Sequence, residues 1–131
     1  MGGKTSQRNG AAGERELAAI LQEYGYDCNR GGSLSFGEVA DIIGLPGIHI
    51  EVKRVEKLNV VEAMEQSIRD SERMRDGIPA LFHRRNRKPW LVTMRLEDWL
   101  RIYGTTQNSQ NKKVIRERSE RRHIQWRTNR T

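Results

Sequence analysis

Cysteine is nearly absent. Cys28 stands alone among 131 residues, so no internal disulfide can form, and its place in a strand-like stretch assigns it to packing. Long apolar runs are missing as well: nothing approaches the roughly 18 consecutive apolar residues that a membrane helix needs. The opening MGGKTSQRNG also lacks the apolar segment of a secretory signal. A soluble protein of a reducing cytoplasm, with no membrane partner, is expected. Histidine is scarce too. His49, His83 and His123 share no metal-ligand spacing, which excludes zinc and histidine-nucleophile chemistry. Gly2-Gly3-Lys4-Thr5 has no preceding strand and no upstream glycine, so it is not a phosphate loop. No internal repeat is present, and an apolar fraction of 35% in this length allows one compact core.

Charge is abundant and unevenly placed. The net charge is +7, and from Gly104 onward eight Lys or Arg face only Glu117 and Glu120. A near-neutral body with a basic tail points to a polyanionic partner held by the tail, although a solvated tail without a partner has the same composition.

The patterning divides the chain into a flexible segment 1–12, a core 13–104 and a basic arm 105–131. A helix is expected from Gly13 to about Tyr24, with Leu17, Ile20, Leu21 and Tyr24 as its apolar stripe and Gly25 as its stop. Residues 26–30 read as a short strand, and 31–37 as a glycine- and serine-rich loop. Residues 39–53 read as a hairpin turning at Gly44-Leu45-Pro46-Gly47. In its second strand Ile48, Ile50 and Val52 face one way and His49, Glu51 and Lys53 the other. A helix over 60–75 is expected to bury Val61, Met64, Ile68 and Met74. Strands over 78–83 and 90–94 flank the turn Arg84–Pro89, and a short helix over 96–103 closes the core. This order implies an α/β fold, a central mixed sheet of about five strands flanked by helices.

Glu51-Val52-Lys53-Arg54 carries the strongest local signal. Period-two geometry sets the Glu51 carboxylate beside the Lys53 ammonium, a pairing suited to holding a hard cation and orienting an attacking water. Alone it is also an ordinary surface ion pair. Asp41 interrupts an apolar run, where a charge is costly unless paired or metal-bound. A tight turn would set it opposite Ile50, on the wrong face. One extra residue absorbed near Gly47 or Asp41 sets it opposite Glu51, so a bulge or strand divergence is predicted. Glu14 and Glu16 have a bland reading as acids at a helix N-terminus.

The ordered series Gly13-Glu14-Arg15-Glu16-Leu17, Gly25-Tyr26, Arg30-Gly31-Gly32, Ala40-Asp41-Ile42, Ile50-Glu51-Val52-Lys53 and Gly77-Ile78-Pro79 resembles the archaeal-type Holliday junction resolvases of the PD-(D/E)xK nuclease superfamily. The resemblance spans about residues 10–100, and Ala40 stands where the superfamily's name has proline. It implies a Mg²⁺ site, with Mn²⁺ as a substitute, at Asp41 and Glu51. Glu14 would complete the metal environment, and Lys53 would be the catalytic lysine. Arg15 and Arg30 would lie near the scissile phosphate, with Ser33 or Ser35 touching it. Gln66 occupies a helix on which some related nucleases carry a site glutamine, though a solvated helix glutamine has the same appearance. Arg54 and the arm residues Lys112, Lys113, Arg116, Arg118, Arg121 and Arg122 are candidate DNA contacts on charge alone.

The expectation is therefore a metal-dependent DNA endonuclease, catalytic through Glu14, Asp41, Glu51 and Lys53. Branched or four-way DNA is the implied substrate, a homodimer follows from the two symmetric cuts that junction resolution needs, and the location is intracellular, cellular or phage-encoded. The alternatives are a nicking, restriction or phage DNA-processing endonuclease of the same superfamily, and a non-catalytic DNA-binding module.

Overall fold

The alternation read over residues 48–53 is realised as the central strand of a five-stranded sheet. The computed structural model describes residues 3–32 and 39–129, and side chains at 10–32, 39–108, 110 and 113–121. Helix α1 (Gly3–Glu23) is followed by β1 (Asn29–Arg30), β2 (Ile42–Ile43), β3 (Ile48–Arg54), α2 (Val60–Met74), β4 (Ile78–Arg84), β5 (Leu91–Thr93) and α3 (Leu96–Asn129). The strands lie side by side in chain order. All neighbours are antiparallel except β3 and β4, which run parallel and are joined by α2. The fold is the expected α/β arrangement, a mixed sheet with helices on its faces.

Alternation along β3 separates two apolar layers. Ile50 and Val52 pack with Leu17 and Ala18 of α1, with Cys28 and with Ile42. On the other face Leu81, level with Glu51 across the parallel pair, packs with Ala63 and Met64 of α2. Ile50 and Leu81 are fully buried, so truncating either to alanine costs about 2 to 5 kcal/mol. Helix α2 begins at Asn59, whose side chain accepts the amide of Glu62, and ends at Arg75 in the left-handed conformation.

Several local expectations are corrected. Helix α1 starts at Gly3, ten residues before Gly13, and covers most of the segment expected to be flexible. Tyr24 and Val61, expected to point inward, are 78% and 69% exposed. The buried face of α2 is instead Ala63, Met64, Ser67 and Ser71, because small side chains let the helix approach the sheet closely. The boundary expected at Gly104 falls inside α3, which continues through the glycine. A mid-helix glycine costs only about 1 kcal/mol, and the following stretch is rich in Gln, Lys, Arg and Glu, good helix formers with i,i+4 pairs such as Glu117 and Arg121.

The chain divides into two units, Met1–Arg95 and Leu96–Thr131. The second is the helix α3. Among its described side chains Leu96, Trp99 and Leu100 are exposed, and Trp99 stacks on Tyr103 with ring centroids 5.2 Å apart. No helix among the described residues is long and apolar enough to cross a membrane.

Candidate functional site

The hairpin has the shifted register. Ile42 pairs with Ile50, which sets Asp41 level with Glu51. The turn absorbs the extra residue with Gly44 and Gly47 at positive φ. At Asp41 the strands diverge. Its amide still donates to Ile50 O at 3.2 Å, but the next position on β3, the Val52 amide, donates to the Asp41 side chain at Oδ2, 2.9 Å away. The carboxylate thus takes the place of a backbone carbonyl in the ladder, which fixes its position. Gly31 holds the outer side: its amide donates to Asp41 O at 2.9 Å, and a Cβ there would run into the carbonyl oxygen of Ala40.

Glu51 is 6% exposed. Its Oε1 lies 3.9 Å from Lys53 Nζ and its Oε2 lies 3.8 Å from His49 Nε2. Burial and repulsion by Glu51 push the Asp41 carboxyl up to about 7. The Val52 amide works against that rise, Glu14 adds to it and Lys53 opposes it. Four residues distant in sequence therefore act on one carboxyl group.

Glu14 sits well inside α1, so the helix-terminus explanation of its charge does not apply. Its carboxylate accepts a hydrogen bond from Arg30 Nε at 2.9 Å. Glu16 is different. It accepts from Trp90 Nε1 at 2.9 Å and pairs with Arg84 at 3.0 Å and Arg54 at 3.8 Å, a network on the α1 side of the sheet. Arg54, expected near DNA, belongs to that network and lies on the opposite face from Glu51 and Lys53. Arg15 is exposed, and Gln66 lines the same hollow as Lys53. Ser33 and Ser35 lie outside the described residues, as do the side chains of Lys112 and Arg122. Lys113, Arg116, Arg118 and Arg121 are exposed on α3, spread around the helix axis instead of forming one stripe.

Sequence reasoning passed over a pair beneath Glu51. His49 is fully buried, and its Nδ1 donates to the carboxylate of Asp76 at 2.7 Å. A carboxylate only accepts, so Nδ1 carries a proton. Burial alone would lower the pKa of His49, but the carboxylates of Glu51 and Asp76 outweigh it and hold the value above the usual one. The 3.8 Å to Glu51 is too long for a hydrogen bond, so the attraction there is Coulombic. Asp76 lies in the turn after α2, and only period-two alternation from Glu51 to His49 hinted at this pair.

The donor set suits a hard cation. Two carboxylate oxygens from Asp41 and Glu51, with water and phosphate completing the shell, match the preference of Mg²⁺ and Mn²⁺ for oxygen. A cation would also relieve the repulsion that raises Asp41. Among the described residues no three His, Cys, Asp or Glu side chains are placed to hold one metal ion together, so the expected third carboxylate of the metal environment is not brought in. Glu14 is turned to Arg30 and not to a shared centre.

Residues 5–130 match the model of a family described as "Phage putative PDDEXK endonuclease". The chain belongs to this family. No curated protein matches it. Membership in the PDDEXK endonuclease family agrees with the superfamily expected from the motif series, but the match is to the phage family and not to the archaeal-type resolvases. A nuclease of this family acts on DNA, and PD-(D/E)xK nucleases generally use divalent metals.

Proposed function

We propose that this PDDEXK protein hydrolyses DNA phosphodiester bonds with Mg²⁺ or Mn²⁺ held by Asp41 and Glu51, and that branched DNA, the four-way junction above all, is its substrate. The observation that carries the catalytic part is the hairpin register, which sets Asp41 level with Glu51 while Lys53 lies 3.9 Å from the Glu51 carboxylate. A bound divalent cation would supply Lewis acidity and a water of lowered pKa.

The chain's own residues do the rest. Asp41, fixed by the Val52 amide, and Glu51, with His49 3.8 Å from its Oε2, would hold the cation through one carboxylate oxygen each. Lys53, a third exposed, orients the attacking water and offsets charge that develops on the phosphate. Arg30 holds Glu14 in place at 2.9 Å, and from there the Glu14 charge acts on Asp41. Arg15 and the exposed cations of α3 bind DNA phosphates. The preference for branched DNA rests on the motif series, and junction resolution by paired cuts makes a homodimer the working form.

Cleavage of end-labelled four-way junction, flap and linear duplex, each in Mg²⁺, Mn²⁺ and chelator, tests both parts. Metal-dependent cutting with the junction cut fastest is the expected result. Cutting of linear duplex at an equal or higher rate would remove the junction assignment and favour a nicking, restriction or phage DNA-processing role. Absence of cutting on all three would remove the catalytic reading.

A further inference from the structure

A hollow of about 540 Å³ opens at the carboxyl ends of the parallel strands β3 and β4, beside the β4–β5 turn. Ligands of α/β folds commonly settle at that end of a sheet, and the volume is that of a small-molecule site. Its floor is aliphatic, from Val55, Leu58 and Leu91, two of which are 41% and 54% exposed. Its rim is cationic, from Lys57, Arg85 and Lys88. A second hollow of about 320 Å³ contains Lys53 and Gln66 and shares Val55, Lys57 and Leu58 with the first. The two adjoin along Val55, Lys57 and Leu58, so the groove at the β4–β5 turn borders the hollow that holds Lys53.

The charges of the rim are uncommitted. Lys57, Arg85 and Lys88 make no side-chain hydrogen bond or ion pair among the described residues. Arg84 in the same wall differs, being paired with Glu16 at 3.0 Å and lying over Trp90. Glu56, the acid of the lining, accepts the Asn86 amide at 2.8 Å, and the turn closes with Lys88 N donating to Arg85 O and Arg87 at positive φ. The backbone of the turn is thus pinned, and it carries Arg85 and Lys88 at the edge of the hollow.

A phosphate alone needs neither this volume nor an aliphatic floor, and a base stacked inside a duplex offers it no face. We infer that this groove receives one unpaired nucleotide of a DNA strand leaving the reaction centre. The base lies on Val55, Leu58 and Leu91, and its flanking phosphates meet Lys57, Arg85 and Lys88. This rests on the nuclease reading for its ligand, and it names the DNA feature that the groove selects.

Fluorescence anisotropy in chelator tests it, comparing a labelled duplex that carries one central unpaired dT with the fully paired duplex. Wild-type protein is expected to bind the bulged DNA about tenfold more tightly, the scale of burying one base face on aliphatic side chains. Arg85→Ala/Lys88→Ala/Leu91→Asp is expected to bring that ratio below about threefold. Equal binding of both DNAs by wild type, or an unchanged ratio in the variant, would overturn the assignment. If circular dichroism shows the triple variant unfolded, Arg85→Ala/Lys88→Ala decides by the same ratio. Cleavage is not involved, so failure to cut DNA in Mg²⁺ or Mn²⁺ would sink the catalytic reading and leave this ratio to stand or fall alone.

Discussion

Asp41 is held in a conformation that disfavours its own charge, and this has a consequence for stability. An unfolded chain ionises Asp41 near 3.8, whereas the folded chain keeps the proton to about 7. The folded state therefore binds more protons between those values, and the metal-free protein loses stability as pH rises from about 4 to 7. The loss is bounded at about 4 kcal/mol, with solvent screening reducing it. His49 adds to the same trend. Its raised folded pKa gives stability that is present below its unfolded value near 6.5 and lost as pH climbs through the folded value. Thermal melts in chelator are expected to show a falling midpoint from pH 5 to pH 8. Asp41→Asn should flatten most of the fall, and Mn²⁺ should restore the wild-type midpoint at pH 8. A wild-type midpoint that rises over this range would contradict the environment assigned to Asp41. His49→Ala removes a fully buried side chain together with its hydrogen bond to Asp76 and is expected to cost about 3 kcal/mol in denaturant unfolding. Asp76→Asn, at a side chain 31% exposed, should cost only about 1 kcal/mol. Equal losses in the two variants would mean that the pair acts merely as packing.

The hairpin is the element on which the site depends. Its register was legible in the sequence because Asp41 in an apolar run, Glu51 on an alternating strand and two flanking glycines admit one arrangement that puts both acids on one face. Gly31 is the constraint that was not legible, since it arises from the approach of residue 31 to Ala40, nine positions further along the chain. Gly31→Ala is expected to separate β1 from β2 at Asp41, lower the melting midpoint and weaken Mn²⁺ binding together. Calorimetric titration with Mn²⁺ checks this, and native affinity in the variant would show that Gly31 does not hold the site. Helices were read less well, for a physical reason. Periodicity marks large apolar side chains, whereas α2 buries Ala63, Ser67 and Ser71, and α1 and α3 extend through polar segments that carry no apolar stripe to mark them. The His49 and Asp76 contact joins residues 27 apart and has no local pattern at all.

At the scale of the whole molecule, charge and chemistry are divided between the two units. The carboxylates and Lys53 are in Met1–Arg95, and the densest basic stretch is in Leu96–Thr131. Truncation after Gly104 removes eight cations. Each lost phosphate contact is expected to reduce the log-log salt slope of duplex binding by about 0.9, so loss of half the contacts lowers it by about 3 to 4. A folded truncation with an unchanged slope would show that α3 does not bind DNA. The central claim is that Asp41, Glu51 and Lys53 perform the cutting, and single-turnover cleavage of a labelled four-way junction in Mg²⁺ tests it most directly. Glu51→Gln and Asp41→Asn, with DNA binding in chelator largely kept, are predicted to lose at least about a thousandfold in rate, and Lys53→Ala about a hundredfold or more. Near-normal turnover in any of the three would contradict it.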